Sequence, residues 1–321
     1  MATLVPHKTL GALAVLLGLS ACEMALEPHK APITPPPAPA LPEPAPEPVG
    51  PSAQSLALAS YYQRVEARQI SQGLMRTDGG GIDTPYDSQD IVENFERIAF
   101  YDEYIRGAGL TSAPGQISRL KRWVGPIRFA VEFGPKTDIT RHSADRAEVG
   151  RYVSRLEQIT DHPMSMVSED ANFHVMYYSS GDNDALVDRV RQIVPNISTS
   201  SLNVFRDIPR SIHCLVVAFS TSSQGYDYAQ AIALIRSEHP SLMRRSCVHE
   251  EVAQGLGLAN DSPRARPSIF NDDDEFALLT SHDEILLKIL YDPALTPGMT
   301  LEDARPIVRD RARRLTGGGG S

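Results

Sequence analysis

CVHEEVAQGLGLAND, residues 247–261, gives the clearest indication of the fold of this 321-residue chain. Glu250, Glu251 and Gln254 share one side of a helix, because residues three and four apart are neighbours on a helix surface. Gly257 ends that helix, since glycine is the usual residue just beyond a helix C-terminus. The stretch therefore predicts a helix with carboxylates and an amide on one face, followed by a turn that brings a further polar side chain towards them.

This pattern resembles the zinc helix of matrixin-type metzincin proteases, HExxHxxGxxH, with every histidine replaced. With Gly257 on the glycine of that motif, the catalytic position falls on Glu251. The metal-ligand positions fall on side chains with oxygen donors, namely Glu250, Gln254 and Asn260, with Asp261 beside the last one. A register that starts the motif at His249 fails, because the second ligand would then be Ala253.

Two downstream segments extend the resemblance. Ser268–Asn271, SIFN, stands where matrixins have the turn below the metal, and Leu279–Tyr291 stands where they have a helix ending in Leu-Tyr. Residues 247–299 thus resemble a divergent matrixin core, and the whole chain resembles an uncharacterised family of bacterial lipoproteins, a domain of unknown function. The resemblance implies an α+β fold, zincin-like, with a twisted mixed sheet, a backing helix and an active-site-like helix, preceded by a helical N-terminal segment.

The replaced histidines bear directly on the metal. Zinc prefers thiolate and imidazole ligands, whereas these positions offer carboxylates and amides. We therefore do not expect zinc at full occupancy, and the sequence does not identify any other cofactor. His282 is an imidazole that would reach Glu250 and Asp261 from the next helix, although Thr280–Asp283 also predicts a capping box that gives His282 a structural role.

The amino terminus has the sequence features of a bacterial lipoprotein. A short basic start and the apolar run Leu10–Leu19 lead into Leu-Ser-Ala-Cys, which resembles a lipobox ending at Cys22. We expect residues 1–21 to be a signal peptide and residues 22–53 to be a lipidated, Pro/Ala-rich linker of extended polyproline II. These features place the protein in the cell envelope, held on a membrane by its lipid and facing the periplasm.

The remaining chain divides into a helical preface over 54–120, a zincin-like domain over 121–316 and a Gly-rich tail over 317–321. When the lipobox cysteine is acylated, Cys214 and Cys247 are the remaining cysteine pair. An exported protein meets an oxidising compartment, so we predict a disulfide between them. Two reduced, buried cysteines are the alternative.

Hydrophobic periodicity predicts the elements ahead of the zinc-helix-like stretch. Helices are expected over 55–74, 87–105, 145–159 and 182–194, and strands over 127–133, 172–178 and 213–219. The segment Tyr228–Ile235 fits a strand or a helix equally well.

The charge composition restricts the kinds of partner that the protein can bind. A net charge of −9 without a basic stripe argues against nucleic acid as a partner. We expect a membrane-anchored envelope protein with a degenerate metalloprotease-like domain that is not an enzyme and binds a peptide or envelope protein by strand addition. One alternative is an active or conditionally active metallopeptidase with a non-standard metal site and Glu251 as general base. Another is a structural lipoprotein that has only inherited the fold.

Overall fold

The computed structural model describes residues 50–102, 115–206, 208–222 and 225–317. These residues contain eight helices and a five-stranded mixed sheet, so the expected α+β class is confirmed. Cys22, the predicted signal peptide and nearly all of the linker lie outside the described residues. Among the described helices, none combines the length and the apolar character needed to cross a bilayer.

The sheet has the order β2-β1-β3-β5-β4. Its strands are β1 (Ile127–Phe133), β2 (Met164–Met166), β3 (Phe173–Tyr178), β4 (Cys214–Ser220) and β5 (Tyr228–Arg236). β1, β2, β3 and β5 run parallel to one another, whereas β4 pairs antiparallel with β5 and forms one edge. The sheet therefore has a short parallel edge at β2 and a longer antiparallel edge at β4.

Helices cover both faces of the sheet. They are α1 (Ala53–Ser71), α2 (Ser88–Phe100), α3 (Ile139–Thr160), α4 (Asn183–Ile193), α5 (Thr199–Arg206), α6 (Ser241–Leu256), α7 (Ser281–Leu290) and α8 (Leu301–Leu315). α3 and α6 pack on one face, where the larger apolar core lies. α4 and α5 enclose a second apolar core on the other face. The domain is thus a helix–sheet–helix sandwich.

The ambiguous segment Tyr228–Ile235 is a strand, β5, and the helical alternative is wrong. β5 pairs with β3 on one side and with β4 on the other. A strand inside a sheet is buried on both faces, so its sequence is a continuous apolar run and lacks the alternation of a half-exposed strand. Periodicity alone does not separate such a run from a buried helix.

The strand predicted over 127–133 is confirmed with those bounds. α3 begins earlier than predicted, because the side chain of Asp138 accepts a hydrogen bond from the Thr140 N–H and caps it. Three elements were not predicted, namely β2, α5 and α8. β2 has only three residues, and α8 is largely polar and contains Pro306, which in sequence argues against a helix.

The helical preface packs into the same body as the rest of the described chain. α2 lies against α7 and α8. α1 is tied to the region around α6, because Ser55 Oγ donates to Glu238 Oε1 (2.8 Å) and Glu66 Oε2 accepts from the Met243 N–H (2.7 Å). The preface therefore supports the helix that carries the predicted site.

Candidate functional site

Two glycines allow α6 to pack closely. A Cβ added at Gly255 would lie 2.5 Å from the Phe173 ring, so only glycine lets this ring of β3 pack directly against the α6 backbone. Gly257 has φ +132°, and a Cβ there would lie 2.3 Å from the carbonyl oxygen of Lys121. The glycine that aligned with the protease motif therefore ends α6 at a point where both the backbone conformation and the space require it.

A buried ion pair fixes the orientation of α6 relative to α3. Arg244 Nε and Nη2 donate to the two carboxylate oxygens of Asp145 at 2.8 and 2.6 Å. The guanidinium also donates to the Ser237 carbonyl oxygen and lies 4.3 Å from the centroid of the Tyr177 ring. Both charged side chains are almost fully buried, so each one needs the other as its partner.

The motif residues lie around the second half of α6. Glu251, Gln254 and Asn260 are buried, whereas Glu250 and Asp261 are partly exposed. The side-chain amide of Gln254 donates to Asp261 Oδ1 at 3.4 Å, which brings these two predicted positions together. The amide of Asn260 donates instead to the Arg97 carbonyl oxygen of α2 at 3.1 Å. The third ligand position of the protease motif therefore serves here to connect the turn after α6 with α2.

The donors near α6 do not fit zinc. Within the described residues, Cys214, Glu250 and Glu251 form a group whose potential ligand atoms all lie within 4.8 Å of one another. The Sγ atom of Cys214 lies 2.04 Å from Sγ of Cys247, which is the separation of a disulfide. A sulfur in that state is not a thiolate ligand, and the two carboxylates that remain are not a zinc site.

His282 lies in a different environment from the acidic group. It is fully buried, with Nε2 3.2 Å from the Asn94 side-chain nitrogen and its ring edge-to-face with Tyr86. The predicted capping box is confirmed, because the Thr280 hydroxyl accepts from the Asp283 N–H while Asp283 Oδ2 accepts from the Thr280 N–H. The structure therefore directs His282 towards α2 and the start of α7.

His249, next to the two glutamates in sequence, connects three parts of the domain. Its Nδ1 accepts from the Leu279 N–H at 3.0 Å, and its ring stacks on Tyr152 of α3. Burial lowers the pKa of His249. Its Nε2 lies 3.9 Å from Glu148, and this imidazole, together with Arg151 and Arg245, lowers the pKa of Glu148 to about 2. His249 is thus a packing residue of α6.

Sequence reasoning missed a basic group on the other face of the sheet. Arg206, Arg210 and Arg236 line a common cavity there. They come from the end of α5, the segment after it and the end of β5, and so form no motif in the sequence. Only the fold brings them together.

Comparison with known proteins gives a single family. The sequence model described as "Protein of unknown function (DUF2927)" matches residues 88–310, which include the whole sheet and α6. No curated protein and no solved structure matches the chain. The expected domain of unknown function is confirmed, while the lipoprotein and the metalloprotease-like core stay predictions.

Proposed function

Since the chain belongs to the DUF2927 family, whose activity is unassigned, we propose its function from its own site. The protein binds an extended peptide, or an extended segment of an envelope protein, at the outer edge of β4 beside α6, and it does not hydrolyse that peptide. The lipid on Cys22 holds it on a membrane facing the periplasm, where an oxidising environment keeps Cys214 and Cys247 as a disulfide.

The observation that carries the proposal is the open edge at β4, whose pairing with β5 is regular from Cys214 to Phe219 and shifts register at Ser220. This strand, CLVVAFS, contains no proline and no charged residue. Among the described residues, no second strand pairs with its outer side. Proteins usually protect edge strands with charges, proline, bulges or short length, because an open edge pairs with other chains. The opposite edge, β2, has only three residues, so its short length protects it from pairing with other chains.

The surroundings of β4 favour a particular kind of peptide. Cys214, its first residue, lies within 4.8 Å of carboxylate oxygens of Glu250 and Glu251. A peptide that extends the sheet along β4 passes the partly exposed Glu250 at one end of the strand, whereas Glu251 is buried. Backbone pairing supplies affinity in such complexes and flanking side chains supply selectivity, so we expect a peptide with Lys or Arg at that end.

Two further features support a degenerate protease-like binding domain. With β2 and α5 as additions, the chain order β1, α3, β3, α4, β4, β5 and α6 is the order that the zincin resemblance implies. The donors at the former ligand positions do not fit zinc, and without a metal no group in this region supplies a water of pKa near 7. A sheet edge that pairs with a peptide, next to donors that do not fit zinc, is suited to binding the peptide without cleaving it.

Photo-crosslinking from the two sheet edges tests the proposal. A photoreactive residue at Ala218 in β4 should form discrete adducts in intact cells, whereas one at Ser165 in β2 should not. A synthetic peptide with the crosslinked sequence should then slow amide hydrogen exchange along β4 and leave β2 unchanged. Equal adducts at both edges, or exchange protection elsewhere in the domain, would contradict binding at β4.

Glu251→Gln separates this proposal from the metallopeptidase alternative. The substitution keeps the size of the side chain and removes its capacity to act as a base. Peptide binding should be nearly unchanged in the variant, and the wild-type protein should leave the peptide intact in the presence of zinc or calcium. Cleavage by the wild type that Glu251→Gln abolishes would establish the alternative.

A further inference from the structure

A cavity of about 450 Å³ lies on the face of the sheet opposite α6. Tyr178 and Arg236, the last residues of β3 and β5, line it together with residues of α1, α4 and α5. β3 and β5 are parallel neighbours, and open sheets of this kind bind ligands beyond the carboxyl ends of their strands. The volume is that of a site for a small organic molecule.

Three arginines make the cavity basic. Arg206 and Arg210 are exposed, and Arg236 is half-buried. The Arg236 guanidinium is held in place by three backbone carbonyl oxygens at 2.7–3.2 Å, those of Ile208, Pro209 and Ile212. None of the described residues that line the cavity is acidic. The cavity is therefore suited to a negatively charged group, since a guanidinium forms strong hydrogen bonds with carboxylates and phosphates.

The start of α4 also borders the cavity, and its first-turn N–H groups lie beside the carboxylates of Asp182 and Asp184. Asn183, the first residue of this 11-residue helix, lines the cavity. The side chain of Asp182 does not cap the helix, because it accepts hydrogen bonds from the N–H and hydroxyl of Ser179 and from the Lys136 N–H. The N–H groups of the first turn therefore have no side-chain cap, and a helix N-terminus in that state attracts anions.

The rest of the lining is apolar, including Leu58, Leu186 and Phe205. Two carboxylates lie behind the wall: Glu238 Oε1 accepts from Ser55 Oγ and from the Ser180 N–H, and the Asp182 carboxylate accepts from Ser179, so together they offset part of the charge of the three arginines. We propose that this cavity binds a small amphipathic anion, a phosphate or carboxylate group attached to an apolar body. The anionic group lies among the arginines and the start of α4, and the apolar body lies against the leucines and the phenylalanine.

Isothermal titration with small probes tests this proposal independently of peptide binding at β4. Phenyl phosphate or benzoate should bind more tightly than inorganic phosphate, which lacks the apolar body, and than benzyl alcohol, which lacks the charge. The stronger of the two anions identifies the headgroup. The double variant Arg206→Gln/Arg210→Gln should weaken binding of that anion by at least about tenfold. Arg236 is left unchanged, because its hydrogen bonds support the backbone.

The matched control is Arg313→Gln, an exposed arginine on α8, which should bind as the wild type does. Equal thermal unfolding of the three proteins excludes loss of structure as the cause. The proposal is overturned by unchanged binding in the double variant, by equal affinity for benzyl alcohol and the anions, or by no binding of any anion to the wild type at millimolar concentrations.

Discussion

The two faces of the sheet use their polar residues in opposite ways. On the α6 face, Arg244 and His249 are buried and engaged with side chains or backbone of neighbouring elements. On the α4 and α5 face, Arg206 and Arg210 are exposed around a cavity, where the Arg210 guanidinium lies 5.0 Å from the centroid of the Tyr61 ring. Similarity to a protease motif therefore does not by itself identify reactive residues. Buried polar side chains near α6, such as Arg244 and His249, stabilise the fold.

Matched arginine substitutions on the two faces provide the largest expected contrast. Arg244→Met leaves the Asp145 carboxylate buried without its partner, which should lower the free energy of unfolding by about 4 kcal/mol. Arg206→Gln on the other face should change it by less than about 0.5 kcal/mol. Urea unfolding followed by circular dichroism measures both. Similar losses in the two variants would remove the distinction between a structural face and a binding face.

The cysteine pair gives the next largest effect, again on the α6 face. The double variant Cys214→Ser/Cys247→Ser should lose about 3 kcal/mol, because a disulfide across 33 residues restricts the unfolded chain. Wild-type protein unfolded with a dithiol present serves as the control and should match the variant. Thiol titration of protein purified from the periplasm should find neither cysteine free, and two free thiols would refute the predicted disulfide.

Acidification should destabilise the same face by a smaller amount. Burial lowers the pKa of His239 well below its usual value, and the nearby His213, Arg236 and Arg244 add to the effect. The unfolded chain binds a proton on this imidazole near pH 6.5 and the folded protein does not, so stability is present above that pH and is lost as the pH falls. One pH unit below, the loss from His239 alone is on the order of 1 kcal/mol.

The unfolding free energy measured at pH 7.5 and at pH 5.5 tests this dependence. His239→Gln should reduce the difference between the two values, whatever its effect on stability at either pH. His249, whose pKa is also lowered by burial, should keep part of the dependence in that variant. A pH dependence that is identical in the wild type and in His239→Gln would show that His239 does not contribute.

The sequence predicted most of the sheet because its strands are apolar runs with clear limits. β1 was predicted with its observed bounds, and the capping box at Thr280 was predicted from four residues. Local signals of this kind depend only on neighbours along the chain. β2 and α8 were missed, since a three-residue strand and a largely polar helix gain their stability from partners that are distant in sequence.

The candidate site was also predicted only in part from the sequence. Spacing alone placed Glu250, Glu251 and Gln254 on one helix and Gly257 at its end. It did not indicate that the Asn260 amide bonds to α2 or that His282 packs against Asn94. Such contacts join residues far apart in the chain, and a periodic pattern contains no information about them.

Most of the helices and strands, and the residues on their faces, could be predicted from the sequence alone, because helix and strand periodicity and capping are local. Only the tertiary structure shows which faces of these elements pack against each other. It brought Cys214 to Cys247 and to the two glutamates, left the outer side of β4 without a paired strand among the described residues, and gathered three dispersed arginines around a cavity. The physical reason is that burial of apolar surface arranges the elements, and the polar groups that become neighbours follow from that arrangement.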